Sequence, residues 1–155
     1  MPDEHQPAKM AILMIGIPAS GKSTYYTRYF PEYVHINLDT LHTRNKEQAL
    51  LVECLLAEKP FVVDNTNPTK KDRQRYIALA KVMGYRVEGY FFQSVVKDCV
   101  ERNEQRTDKA KISSAAVAAI SNKLELPHMN EGFDKLYFVR LADSDFVVEP
   151  WRDDI

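Results

Sequence analysis

Residues 16–23 read Gly16-Ile17-Pro18-Ala19-Ser20-Gly21-Lys22-Ser23, with the spacing G-x-x-x-x-G-K-S. The two glycines let the backbone curl until successive N–H groups face inward, and a helix starting at Lys22 adds the positive end of its dipole. Such a cradle suits the phosphates of a nucleoside triphosphate. The backbone of Ile17, Pro18, Ala19 and Ser20 forms the curl, Lys22 bridges the β- and γ-phosphates, the Ser23 hydroxyl meets Mg²⁺, and Thr24 completes the first helical turn. A glycine turn with an incidental lysine is the alternative. An apolar segment just before the motif and a helical one just after it supply the context a phosphate-binding loop requires.

A triphosphate site serves a switch, a motor or a kinase, so the groups beside the γ-phosphate decide between them. Transfer to a hydroxyl needs a carboxylate that takes the hydroxyl's proton and further charge around the metal. Asp39, just beyond YVHINL, is the candidate base, with a helix N-cap as its alternative role. Asp64, just beyond FVV, is the candidate for the metal's water shell, or else a turn aspartate bonding its own backbone. Positive charge must also face the transferring phosphoryl. Arg102 and Arg106, four residues apart before the polar stretch RTDKAK, would bring it with a closing cover, or simply decorate a solvated helix face.

The elements that must hold these groups alternate between strand and helix. Met10–Ile15 reads as a buried strand, Lys22 to about Phe30 as a helix stopped by Pro31, and Tyr33–Leu38 as a second strand. Asn45–Glu58 is helical; Phe61–Val63 is a third strand ending in DNTN; Lys70–Met83 is a helix closed by Gly84; Arg86–Phe92 is a fourth strand. This is the βαβ pattern of a parallel sheet covered on both faces. Val95–Glu104 and Ser113–Leu126 flank RTDKAK as two helices, a lid at about 102–126, and Leu136–Leu141 with Phe146–Glu149 supply a last strand and an edge piece. Trp151 is expected to pack the terminus.

At 155 residues the chain suits one domain, residues 10–155, behind a polar arm of about nine residues. Its 21 basic and 22 acidic residues nearly cancel, so no bulk positive field draws it onto duplex nucleic acid. Lys70, Lys71, Arg73 and Arg75 form the one dense basic group, a solvated surface or a strand-guiding patch. Tyr25, Tyr26 and Tyr29 follow the loop and either stack on a base or pack the core edge. Two cysteines, Cys54 and Cys99, with no clustered partners argue against a zinc site or a disulfide framework. No apolar run approaches membrane-span length and the acidic start does not resemble a signal peptide, so a cytoplasmic protein with no membrane contact is expected.

GIPASGKS, INLDTL, VVDNTNPTKKDRQRYIALA with GYRVEGYFF, CVERNEQR, and NEGFDKLYFV with VEPW occur in that order over about residues 10–152. Together they resemble the kinase domain of the 5′-hydroxyl polynucleotide kinase family. The resemblance implies an α/β P-loop NTPase of the kinase type: three layers, a central parallel sheet flanked by helices, and a helical lid. It implies ATP and Mg²⁺ held at Lys22 and Ser23, Asp39 activating a nucleic-acid 5′-hydroxyl, Asp64 supporting the metal through water, and Arg106 as lid arginine beside Arg102. One departure stands out. Some family members carry an arginine three residues after the catalytic aspartate to grip the acceptor's phosphate, whereas this chain has His42 there and Arg44 two further on. No phosphatase or ligase segment and no obligate protein partner is evident, so any 3′-end processing or sealing is expected from other proteins.

Two other functions fit the same residues. A kinase for a small hydroxylated metabolite or nucleoside would share loop, base and lid and differ only in the acceptor pocket. A nucleotide-hydrolysing regulatory module would keep the loop and have no use for Asp39 as a base.

Overall fold

The computed structural model describes residues 9–106, 112–143 and 145–153. Residues 1–8 of the expected arm, and 107–111 of the expected lid, lie outside these. Lys9 already belongs to the body: its ammonium donates to the Met83 carbonyl and pairs with Glu58.

Six strands form one sheet in the order β2-β3-β1-β4-β5-β6. They are β1 Met10–Ile15, β2 Val34–Ile36, β3 Phe61–Asp64, β4 Arg86–Phe92, β5 Lys135–Ala142 and β6 Asp145–Pro150. The first five run parallel, and β6 returns antiparallel along β5 at the edge. β1 is buried along its whole length because both of its faces are covered. Ala11, Leu13 and Ile15 pack beneath α3 (Arg44–Ala57) and α4 (Lys70–Val82), against Leu51, Cys54, Tyr76 and Ile77. Met10, Ile12 and Met14 face the opposite layer, where α1 (Lys22–Tyr29) lays Tyr25 against Tyr90 and Phe92. A third apolar cluster joins α5 (Val96–Glu104) and α6 (Ser114–Lys123) to the loop after β1, with Ile17, Ala19, Cys99 and Val117 at its centre. The result is the three-layer α/β fold expected, with a helical pair seated on the phosphate loop.

Several local expectations need correction. The strand expected over Tyr33–Leu38 is only three residues long. It stops because the Asn37 side chain accepts from Thr40 N and starts a one-turn helix, α2 (Leu38–Leu41). Asp39 therefore lies in the first turn of α2, and Asn37 is the N-cap. The helix expected to reach Leu126 ends at Lys123, since residues approaching Pro127 are driven out of the helical region and Glu125 N donates to the Pro68 carbonyl instead. Tyr25 is a core residue. Tyr26 stacks on His35 at 3.9 Å with its hydroxyl donating to the Tyr33 carbonyl.

The basic group on α4 also divides. Arg73 is wholly buried, donating through Nε and Nη2 to Glu131 at 2.8 and 3.1 Å and through Nη1 to the Asn67 carbonyl at 2.9 Å. A guanidinium is carried inside because its fork matches the carboxylate at two points and a backbone oxygen takes a third donor.

Arg73→Ala would strip the buried Glu131 carboxylate of its cation and leave it only the His128 N–H, which is expected to cost about 3–5 kcal/mol in urea unfolding. Arg73→Met with Glu131→Met should recover most of that loss. A single mutant as stable as the parent would contradict the assignment.

Candidate active site

The loop following β1, where the phosphate cradle is expected, curls tightly into α1. Gly21 sits at φ 104°, where a side chain would be strained, and a Cβ there would come within 3.0 Å of the Phe146 ring. Ala19 also adopts a positive φ of 67°. The Lys22 ammonium turns back onto the loop, donating to the Gly16 carbonyl at 2.8 Å and the Ile17 carbonyl at 3.0 Å. Burial pushes Lys22 down to about 8, and the nearby Arg106 charge adds to the fall while Asp64 opposes it.

The turn after β3, Asp64-Asn65-Thr66-Asn67, ties the surrounding elements together residue by residue. The Asp64 carboxylate accepts from Ser23 Oγ and is bonded to His35 Nε2, both at 2.7 Å, and its own carbonyl accepts from Asn37 Nδ2 at 2.6 Å. Burial works to raise the Asp64 carboxyl, but the His35 hydrogen bond, the Lys22 charge and the Ser23 hydroxyl outweigh it and hold it below the usual carboxylate range. Asp64 thus bonds side chains of α1 and β2. Asn65 Oδ1 accepts from Leu38 N, which fixes the start of α2, while its Nδ2 donates to Glu47 and Tyr76. The Thr66 carbonyl takes Gly16 N, and Asn67 Nδ2 donates to the Met14 carbonyl.

These ties shape one cleft of about 310 Å³. Lys22 and Ser23 enter it from the loop, Asp39 from α2, Asp64 from β3, and Arg106 from beyond α5. Pro18 and Ala19 also line it, while Ile17 and Ser20 are buried behind. A smaller cavity of about 220 Å³ adjoins the loop on its other side, between Gly21 and Thr24, Arg102 and Arg106, and Leu141 and Phe146 of the β5–β6 hairpin. Arg102 donates through Nε to the Ala19 carbonyl at 2.6 Å, so it braces the loop instead of facing solvent. Arg44 lines the main cleft; His42, exposed at the end of α2 with φ 74°, does not.

Sequence reasoning missed His35, Asn37, Asn65 and Asn67. The run DNTN was a visible signal, but which atom each residue would reach depends on the neighbouring strands. For a divalent cation the donor set fits: a hydroxyl backed by an ionised carboxylate is the hard-oxygen surrounding Mg²⁺ takes, with phosphates and water completing it. Among the described residues no group of three or more His, Cys, Asp or Glu side chains gathers to hold a metal unaided. No helix of the described residues is long and apolar enough to cross a membrane.

Comparison with known proteins was consistent with this geometry. The AAA domain family model matches residues 43–127. The bifunctional polynucleotide phosphatase/kinase of Schizosaccharomyces pombe is 29% identical over 97% of this chain and 38% of its own length. The chain spans well under half the length of the curated relatives it matches. Among solved structures, Chaetomium thermophilum Kti12 in complex with ADP-AlF3 superposes with a TM-score of 0.69 at 18% identity, over 86% of this chain and 90% of that one. A gluconokinase from Sinorhizobium meliloti does so with 0.61 at 19%, over 89% and 86%.

Because Lys22 sits at about 8 against 10.5 for a free lysine, a triphosphate that restores its ordinary value must draw in a proton between those two pH values. Calorimetry in buffers of different ionisation enthalpy should find approaching one proton taken up per nucleotide near pH 9, with affinity falling as pH rises through the window. Binding without proton uptake there would contradict the buried placement of Lys22.

Proposed function

We propose, from the premise that the chain belongs to the AAA domain family and has the P-loop kinase fold, that it transfers the γ-phosphate of ATP to the 5′-hydroxyl of a nucleic acid. The observation that carries this reading is the meeting of Lys22, Ser23, Asp64, Asp39 and Arg106 in one cleft. Triphosphate phosphates lie in the loop under Lys22 and the inward N–H groups, and the nucleoside occupies the smaller cavity between Arg102 and Phe146. Ser23, with Asp64 behind it, would hold Mg²⁺, whose charge offsets that of the β- and γ-phosphates when bound.

Asp39 accepts the proton of the incoming alcohol as its oxygen bonds to the γ-phosphorus and the bridge to the β-phosphate breaks, releasing ADP. Asn37 and Asn65 keep the one-turn helix that carries Asp39 against the tip of β3, so the base is placed before substrate arrives. Arg106 faces the charge that spreads over the transferring oxygens, and Arg102 keeps the loop in shape. Arg44, not His42, is positioned to meet the acceptor. The polynucleotide phosphatase/kinase name of the relative supports a nucleic-acid acceptor. The buried free thiols Cys54 and Cys99 suit a reducing cytoplasm.

A second reading, transfer to a small hydroxylated metabolite or nucleoside, is favoured by the size of the cleft. About 310 Å³ accommodates a single nucleotide-sized group. Labelled γ-phosphate offered in parallel to a 5′-hydroxyl oligonucleotide, a nucleoside 3′-monophosphate and a panel of small alcohols separates the two. Label on the oligonucleotide supports the first reading, label on the alcohols alone supports the second, and acceptor-independent hydrolysis would overturn both. Lys22→Ala should abolish turnover. Asp39→Asn should lower the rate about 10²- to 10⁴-fold while sparing ATP affinity. Arg106→Ala should depress kcat with little change in nucleotide binding.

A further inference from the structure

We propose that His35 is a positioning residue for the carboxylate that supports the metal: it donates to Asp64 Oδ2, shares that oxygen with Ser23 and so fixes the plane of the carboxylate, leaving Oδ1 for water bound to the cation. This rests on the reading of Ser23 and Asp64 as the Mg²⁺ side of a kinase site and adds the residue that holds that side in shape.

Strand register brings the partners together. β2 and β3 run parallel with His35 opposite Val62, so His35, Val62 and Asp64, two residues on, look to the same face of the sheet. Val62 packs in the layer beneath α1, which makes this the α1 face. α1 presents Ser23 and Tyr26, three residues apart and therefore neighbours on its surface. Ser23 Oγ reaches Asp64 at 2.7 Å, and the Tyr26 ring lies over the His35 imidazole with 3.9 Å between centroids and 11° between planes. The Tyr26 hydroxyl donates to the Tyr33 carbonyl at 2.6 Å, so the covering ring is itself anchored. His35 is thus held flat with Nε2 at 2.7 Å from Asp64 Oδ2.

An ionised carboxylate only accepts, so the imidazole donates through Nε2–H. Both His35 and Ser23 use Oδ2, and no described residue donates to Oδ1. Oδ1 is not sealed in, because among the described residues the buried side-chain nitrogen or oxygen left without a partner is Trp151 Nε1. Oδ1 therefore opens to the cleft that Asp64 lines. With Ser23 as its sole donor the carboxylate could turn about its last bond, and the Lys22 charge, which already attracts it, would offer a competing partner. A second donor from β2 removes that freedom. Packing alone needs no nitrogen at this position, since a phenyl ring fills the stack on Tyr26 equally well.

The test is Mn²⁺ binding to the full chain with ADP present, read from the electron paramagnetic resonance of the free ion. His35→Phe, which keeps the stacked ring and loses the donor, should weaken Mn²⁺ about tenfold, the scale on which partners of metal-supporting groups act. His35→Gln, whose amide nitrogen takes the place of Nε2, should keep most of the affinity, whereas His35→Asn, whose amide nitrogen matches Nδ1, should lose as much as His35→Phe. Metal-free ADP binding, made through Lys22 and the loop, should survive in every variant and certifies a folded site. If His35→Phe does not fold, the contrast between His35→Gln and His35→Asn decides alone. Mn²⁺ affinity unaltered in His35→Phe, an equal loss in His35→Gln and His35→Asn, or no Mn²⁺ taken up by the wild type with ADP would overturn the assignment. Binding is read without turnover, so a chain that transfers no phosphate yet shows these differences would refute the kinase reading and leave the role of His35 standing.

Discussion

The Asp64 carboxylate at the tip of β3 is the junction on which the rest of the cleft depends. It is almost completely buried, and an ionised carboxylate is tolerable there only because Ser23, His35 and the Lys22 charge compensate the lost water. Ser23 and Lys22 come from the start of α1, where it leaves the loop, and His35 comes from β2. Satisfying one buried charge therefore fixes the mutual placement of the loop and the two strands beside it. The three residues that follow extend the same logic, with Asn65 gripping α2 and α3, Thr66 the start of the loop, and Asn67 the end of β1.

The cleft combines accessible side chains with buried supports. Of the groups lining the cleft, Asp39 and Arg44 are exposed and Arg106 follows the end of α5. Their supports are buried and fully bonded. Asn37, Glu47 and Asn67 are all under 9% exposed; Asn37 is bonded to β3, Glu47 to Arg44 of α3, and the Asn67 carbonyl to Arg73 of α4, each an element that carries a cleft residue. The loop itself is braced from both sides, by Ser94 on Ile17 N and by Arg102 on the Ala19 carbonyl, while Lys22 meanwhile satisfies the loop's own carbonyls.

The alternation of strands and helices and the three-layer fold were legible from periodicity and from Pro and Gly positions, because those signals are local. β4 runs over Arg86–Phe92, as its pattern predicts, and α4 stops beside Gly84, whose φ of 80° only a residue without a side chain adopts readily. The turn from β1 into α1 was legible for the same reason. What periodicity could not show was which polar residues meet across the sheet. Asn37 cut β2 short because its side chain capped α2 and reached the Asp64 carbonyl, a contact 27 residues distant. Arg73 looked like a surface cation until Glu131, 58 residues on, provided its partner. His35 reads as an ordinary strand residue, and only the parallel pairing of β2 with β3 brings its ring to Asp64.

The most direct test of the central claim is a crystal structure of the full chain with Mg²⁺, a non-hydrolysable ATP analogue and a 5′-hydroxyl dinucleotide. An Asp39 carboxylate oxygen is expected at hydrogen-bond distance, about 2.6–3.2 Å, from the 5′-hydroxyl, with the hydroxyl oxygen in line with the bond to the departing bridge oxygen. Asp39 turned to solvent, with the hydroxyl placed elsewhere or only water facing the γ-phosphorus, would contradict it.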